Sequence, residues 1–238
     1  MGKIPVQFLE LEDVKIAYRE YGSGLNLILL HGNSGRKEMF SKYQLEYFKD
    51  FHTIALDSRG HGQTVSQDTR LSIEQISLDV IGFCRARGIR RAYVIGYSDG
   101  GNIALFLAKK EPGLFPRIVA ISPNYLVSGT TDDSLRMIRR FASLFRALGR
   151  LGLPTRKALM RFELMLDDIG LTDKDLRSIR TSLQILYAEH DMIKEDHILE
   201  MGSLIPGATV RKIVGCSHLT IVSRQAAIQA MREYLLAG

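Results

Sequence analysis

The sequence predicts an α/β fold, a mostly parallel twisted sheet with helices on both faces and a small helical insertion. Three observations predict it. Short apolar runs of β type alternate with amphipathic runs of helix length along most of the chain, which calls for crossover connections and parallel strands. One stretch breaks the alternation, with helix following helix between two strands. The chain has 238 residues and is 45% hydrophobic, enough to bury the core of one domain.

In chain order, strands are predicted at residues 14–21, 26–30, 52–56, 92–95, 117–121, 183–187 and 209–214, with an antiparallel first hairpin. Helices are predicted at residues 37–50, 72–87, 102–110, 195–204 and 217–236. Ser72 and Gln75 have the spacing of a capping box, which fixes the second of these starts. The exception to alternation is residues 124–180. There Leu135, Ile138, Phe141, Phe145 and Leu148 recur at three- and four-residue steps, and Gly149, Gly152 and Pro154 interrupt. A second helical run follows at 156–166, and a third short one starts at Thr172. No internal repeat or low-complexity segment occurs.

The chemistry concentrates where strands end. Gly96-Tyr97-Ser98-Asp99-Gly100 follows an apolar strand and opens a helix, so small residues let the chain turn sharply and lift the Ser98 hydroxyl clear of the backbone. A serine hydroxyl is a weak nucleophile and needs an imidazole to take its proton and an acid to orient that imidazole. The run 183–187 empties into Ala188-Glu189-His190-Asp191, and 209–214 into Gly215-Cys216-Ser217-His218. Asp191 and His218 thus stand past the carboxyl ends of strands, where open α/β sheets place their sites. The predicted catalytic residues are Ser98, Asp191 and His218. Upstream, the strand at 26–30 ends in His31-Gly32-Asn33-Ser34-Gly35, a small-residue turn. Acyl transfer passes through an oxyanion, and the backbone amides of Asn33 and Asp99 are the predicted donors to it. A carboxylate at Asp99 would oppose that oxyanion if it faced the cleft, so its side chain is expected to turn away and cap its own helix.

These motifs, together with Asp57-Ser58-Arg59-Gly60-His61-Gly62, resemble those of a Ser-His-Asp serine hydrolase of the α/β-hydrolase superfamily, of carboxylesterase type. They stand in the superfamily's order from residue 27 to residue 218. One departure is Ala188, where the acid loop often has glycine, which leaves Glu189 as a competitor for the acid role. Asp191 and His218 have bland alternatives, as a helix N-cap and as a loop histidine. Asp57, Arg59 and His61 are expected to serve structure, by binding backbone groups in a glycine-bounded loop. The resemblance implies a core of residues 1–123 and 181–238 and a helical cap of residues 124–180 over the site. It also implies hydrolysis of an ester or related acyl bond of a small molecule. Lactone, thioester, amide and carbon–carbon bond hydrolysis use the same constellation, and a silent binding protein of this fold is the reading from another class.

No cofactor is expected. Acyl transfer by this route needs no metal, and His31, His52, His61, His190 and His197 form no metal-ligand pattern. The cap region holds eleven basic and seven acidic residues, so it carries most of the formal net charge of +6. The simplest reading is a solvated basic face. Steering of an anionic substrate, or binding to an acidic partner or a lipid surface, are the functional ones. Nucleic acid is not favoured, because the charges are not interleaved with aromatics. No run approaches the roughly 20 apolar residues of a membrane span. Residues 1–13 scatter charges among apolar positions, so no signal peptide is expected. Met1-Gly2 resembles a myristoylation start but has Val6 where Ser or Thr belongs. With only Cys84 and Cys216, the expected setting is a reducing, cytoplasmic one.

Overall fold

The computed structural model describes residues 4–237; Met1 and Gly2 of the myristoylation-like start, with Lys3, lie outside them. Nine strands form one sheet: β1 (Gln7–Glu10), β2 (Val14–Tyr21), β3 (Asn26–Leu30), β4 (His52–Leu56), β5 (Val65–Ser66), β6 (Ala92–Tyr97), β7 (Arg117–Ile121), β8 (Ser182–His190) and β9 (Thr209–Ser217). Their order is β1-β2-β4-β3-β6-β7-β8-β9, with the short β5 paired to β2. From β4 to β9 every pairing along this path is parallel. The central strands β3, β6 and β7 are largely apolar runs because both faces are covered. Along β3, for example, Ile28 and Leu30 face one hydrophobic cluster while Leu27 and Leu29 face the other.

The antiparallel edge differs from the sequence reading. β2 pairs with β1 on one side and with β4 on the other, and not with β3, which follows it in the chain. Gly22 and Gly24, both at positive φ, turn the chain off the end of β2, and β3 goes to the middle of the sheet between β4 and β6. There its five uncharged residues are covered on both sides, which an edge place would not achieve.

The helices are α1 (Ile73–Ala86), α2 (Asp99–Lys110), α3 (Asp132–Arg150), α4 (Arg156–Leu164), α5 (Asp173–Ser178), α6 (Glu195–Leu204) and α7 (Gln225–Leu236). Apolar residues of α1, α2 and α6 pack on one face of the sheet, and those of α7 and of segment 40–51 on the other. Ser72 caps α1 by accepting from the Gln75 amide at 3.1 Å, while the Gln75 side chain turns to Asp79 instead of closing the box. Thr172 and Asp175 form a complete capping box on α5.

Two predicted helices are corrected. Residues 37–50 form a 3₁₀ turn, Lys37–Phe40, and a π turn, Tyr43–Tyr47. Phe40, Tyr43, Phe48 and Phe51 are buried together in one cluster, and the Phe48 amide donates to the Tyr43 carbonyl five residues back at 2.8 Å, the bond of a π turn. The Lys37 amide and ammonium are in addition both bound to Asp57, at 2.7 and 2.6 Å, which holds the start of the segment to the end of β4. Residues 217–236 are not one helix either. β9 runs through Ser217, a 3₁₀ turn covers Ile221–Ser223, and α7 begins at Gln225. The Thr220 hydroxyl accepts from the Ser217 amide at 2.9 Å, a local bond that competes with helix and leaves His218 in a loop. No described helix is long and apolar enough to cross a membrane.

Candidate active site

Ser98 stands between β6 and α2 with φ 54° and ψ −119°, a conformation that costs an L-residue about 1–3 kcal/mol and persists only when its surroundings impose it. They do. The Ser98 amide donates to the Ile121 carbonyl at 2.8 Å, and its carbonyl accepts from Asn102 at 3.0 Å. The flanking glycines are required by space. A Cβ on Gly96 would lie 2.1 Å from the Gly100 carbonyl oxygen, and one on Gly100 2.1 Å from that of Leu30. Backbone therefore meets backbone across β3, β6 and α2, and the serine is left at the crest of the turn.

The loops after β8 and β9 bring in the partners. His218 Nδ1–H donates to Asp191 Oδ1 at 2.6 Å, which leaves Nε2 to accept from the Ser98 hydroxyl at 3.1 Å. The imidazole is fixed from several sides: the His218 amide donates to the His190 carbonyl, the Tyr97 hydroxyl donates to the His218 carbonyl at 2.9 Å, and the Tyr97 ring lies 5.3 Å from the imidazole. Asp191 is buried and accepts three further bonds, from Ser122 Oγ at 2.6 Å, the Ala188 amide at 2.8 Å and the Ile193 amide at 3.2 Å. Burial pushes its acidity down, but the bond to His218 and the imidazole's charge, with Ser122 and Ala188 behind them, hold the carboxyl below its ordinary value. Glu189 is elsewhere, exposed and accepting from the Gly215 amide.

Ser122 was not foreseen. It sits one residue past β7, also at positive φ (51°), between the strands that lead to Ser98 and Asp191. Its signal in the sequence is position alone: a hydroxyl at the carboxyl end of the central strand next to the nucleophile's.

The loop after β3 lies against the serine. A Cβ on Gly32 would be 3.0 Å from the Ser98 Cβ, so only glycine lets this loop approach so closely. Among the described residues, neither the Asn33 nor the Asp99 amide has a recorded protein acceptor. The Asp99 side chain corrects the expectation. It does not cap α2 but lines the cleft and accepts from Asn33 Nδ2 at 2.9 Å, while the same amide donates to the Arg161 carbonyl of α4 at 2.8 Å. A cap would require the carboxylate to fold back on its own helix, and Asn33 offers a donor in the other direction. Burial pushes the Asp99 carboxyl up from its ordinary value, against the Asn33 bond and the His218 charge.

A family model described as alpha/beta hydrolase fold matches residues 26–159, more than half of the chain. The chain belongs to the α/β-hydrolase fold family. It is 28% identical over 127 residues to 2-(acetamidomethylene)succinate hydrolase of Mesorhizobium japonicum, which covers 53% of this chain and 46% of that protein. The chain thus spans about half or less of the length of the curated relatives it matches first. Among solved structures, a thermophilic esterase from Thermogutta terrifontis aligns with a TM-score of 0.80 at 20% identity, covering 96% of this chain and 98% of that one. The enol-lactonase from Burkholderia xenovorans aligns with a TM-score of 0.79 at 18% identity, covering 96% and 99%.

In this chain of the α/β-hydrolase fold a cleft opens above Ser98 and His218. Ile73 of α1, Ile138 of α3, Leu164 and Met165 supply apolar walls, and Asn102, Asn124 and Asp99 polar ones, with no lysine or arginine among the lining residues. None of the basic residues of 124–180 lines it. Asp57, Arg59 and His61, in the loop after β4, build a frame behind the loop after β3. The Asp57 carboxylate binds Lys37 and the Gln63 amide. Arg59 is buried and joins Asp13, Asp68 and Asp79. His61 donates from Nδ1 to the Arg59 carbonyl and packs on His31, and desolvation, then the His31 charge, depress it to about 3.

Proposed function

We propose that this chain is a serine hydrolase that cleaves a carboxylic ester, or a related acyl bond, of a small molecule through an acyl-enzyme on Ser98. The observation that carries the reading is the unbroken hydrogen-bond series from Ser98 Oγ through His218 to Asp191 on the floor of a cleft. His218 Nε2 takes the hydroxyl proton as Ser98 attacks the acyl carbon, and Asp191 stabilises the imidazolium and holds its tautomer. His218 then returns the proton to the leaving alcohol. In the second half, it takes a proton from water as the water oxygen attacks the acyl carbon, and gives it to Ser98 Oγ as the Oγ–acyl bond breaks and the acyl group leaves as the acid. The free amides of Asn33 and Asp99 receive the oxyanion, each worth about 3–4 kcal/mol of transition-state stabilisation in comparable sites.

Residues 124–180 form the cap in this reading. Ile138 and Leu164 close the cleft from above, and Asn33 ties the oxyanion loop to the backbone of α4. A cleft with apolar walls, an acidic Asp99 and no cation suits a neutral acyl group better than an anionic one. Membership of a fold family that includes a hydrolase among its curated relatives supports hydrolysis as the reaction.

The test uses a fluorophosphonate probe and a panel of nitrophenyl esters and lactones. Labelling at Ser98 in the native chain, release of nitrophenol, and loss of both in Ser98→Ala are expected. A folded native chain that neither takes the probe nor turns over any member of the panel would leave a binding protein of this fold. The ester-to-lactone ratio assigns the bond.

A further inference from the structure

α3 has two apolar stripes, and the fold covers only one. Leu135, Ile138 and Ala142 are buried against the body. A neighbouring stripe of Met137, Phe141, Leu144, half-buried Leu148 and Leu151 repeats at four- and three-residue steps and faces out. Met137, Phe141 and Leu144 are 44%, 42% and 49% exposed, and Leu151 and Leu153 beyond the helix end are 78% and 50% exposed. The stripe is held firmly: the Phe141 ring stacks on Phe162 of α4, with centroids 5.4 Å apart, and Phe145 packs on the same ring. Single exposed apolar residues are ordinary, but a contiguous row of five marks an interaction surface.

The charges beside the row say what it meets. By helical position Arg140 and then Arg136 border the exposed stripe, while Arg139, Arg146 and Arg150 fill the polar face, against two acids, Asp132 and Asp133, in the first turn. Arg136 pairs with Asp133 and Arg146 with Glu163. Among the described residues Arg139, Arg140 and Arg150 have no ion-pair partner, and Arg156 and Lys157 add to the positive field at the next turn. A helix with an apolar edge, an aromatic anchor and a margin of arginines is complementary to the surface of an anionic phospholipid bilayer. The apolar side chains enter the acyl boundary and the guanidinium groups bind phosphates. A second copy of this chain fits less well, because in a two-fold contact Arg140, which borders the row at mid-helix, would face its own counterpart.

We propose that the outer face of α3 docks the protein on anionic phospholipid bilayers. Ile138, on the inner side of the same helix, lines the cleft, so docking holds the cap wall of the cleft against the bilayer. The proposal does not depend on which reaction Ser98 performs, and its readout is binding.

The experiment is co-sedimentation of the full chain with phosphatidylcholine vesicles, with and without 30% phosphatidylglycerol by preparation. Binding to the anionic vesicles that weakens with added salt is expected. The triple variant Met137→Ser/Phe141→Ser/Leu144→Ser, and separately Arg136→Gln/Arg140→Gln, should each lose about tenfold or more in partitioning. Circular dichroism and melting temperature unchanged from the native chain keep a loss attributable to the face, and Phe141→Ser alone serves if the triple variant does not fold. Equal partitioning of native and variant chains, or no binding of the native chain to anionic vesicles, would overturn the proposal. So would a lipid-free dimer, seen by light scattering, that the same variants dissolve, since that assigns the face to self-association.

Discussion

Asp191 and Glu189 are two residues apart, and their surroundings separate their roles. Asp191 accepts from His218, Ser122 and two amides inside the fold, whereas Glu189 is exposed and accepts from one amide. Asp191→Asn is therefore expected to lower kcat about 10⁴-fold, because an amide no longer holds the imidazole tautomer. Glu189→Gln should stay within a few-fold; steady-state rates on one nitrophenyl ester compare them. Asp99 yields a second prediction. Its carboxyl titrates higher in the folded than in the unfolded chain, so between those two values the folded state holds the extra proton. Stability then falls as pH rises from the ordinary carboxylate value through the raised one, and stays lower above it. Asp99→Asn should remove that slope and be the more stable protein at pH 7. Denaturant midpoints measured from pH 4 to 8 check this, and a midpoint difference that does not change with pH would count against a buried, raised carboxyl.

Two elements meet at Gly96 and Gly100, and the strand-turn-helix unit exists because neither has a side chain. Gly100→Ala would press a methyl into the Leu30 carbonyl, backbone that a packed sheet cannot move, and a loss of more than about 3 kcal/mol is expected. Soluble yield and denaturant melts report it. The loop after β4 is pH-sensitive in the opposite sense to Asp99. His61 is held neutral to about pH 3, while the unfolded chain binds its proton near 6.5. Stability is lost as pH falls from 6.5 toward 3, at up to about 1.4 kcal/mol per pH unit from this group. His61→Gln should flatten that limb of the stability profile.

At the scale of the molecule, the segments that follow β6, β7, β8 and β9 all deliver side chains to one cleft, and Ile138 of α3 with Leu164 and Met165 at the end of α4 line it too. Every group invoked in the proposed chemistry is a side chain or an amide of the chain itself, so turnover is expected to be unchanged by EDTA. Loss that added zinc restores would require a different mechanism. The lack of lysine or arginine among the cleft's lining residues bears on substrate charge. Anionic and neutral esters of equal size should show similar falls of kcat/KM with salt, because no cation lines the cleft.

The alternation of apolar and amphipathic runs was enough to give the parallel sheet and the places of most helices, since period and burial are local properties of the chain. Ser98, Asp191 and His218 could be picked out because each lies just past a strand, in a turn whose small residues are visible in the sequence. The rest depended on groups distant in the chain. The start of segment 37–50 is held by Asp57, 20 residues away, and β3 left its hairpin neighbour for the middle of the sheet. The Asp99 side chain was decided by Asn33, 66 residues away, and Ser122 found Asp191 at a separation of 69. The second stripe of α3 is written in the sequence as plainly as the first. Which of the two faces the body depends on how α3 packs, and only the tertiary structure supplies that.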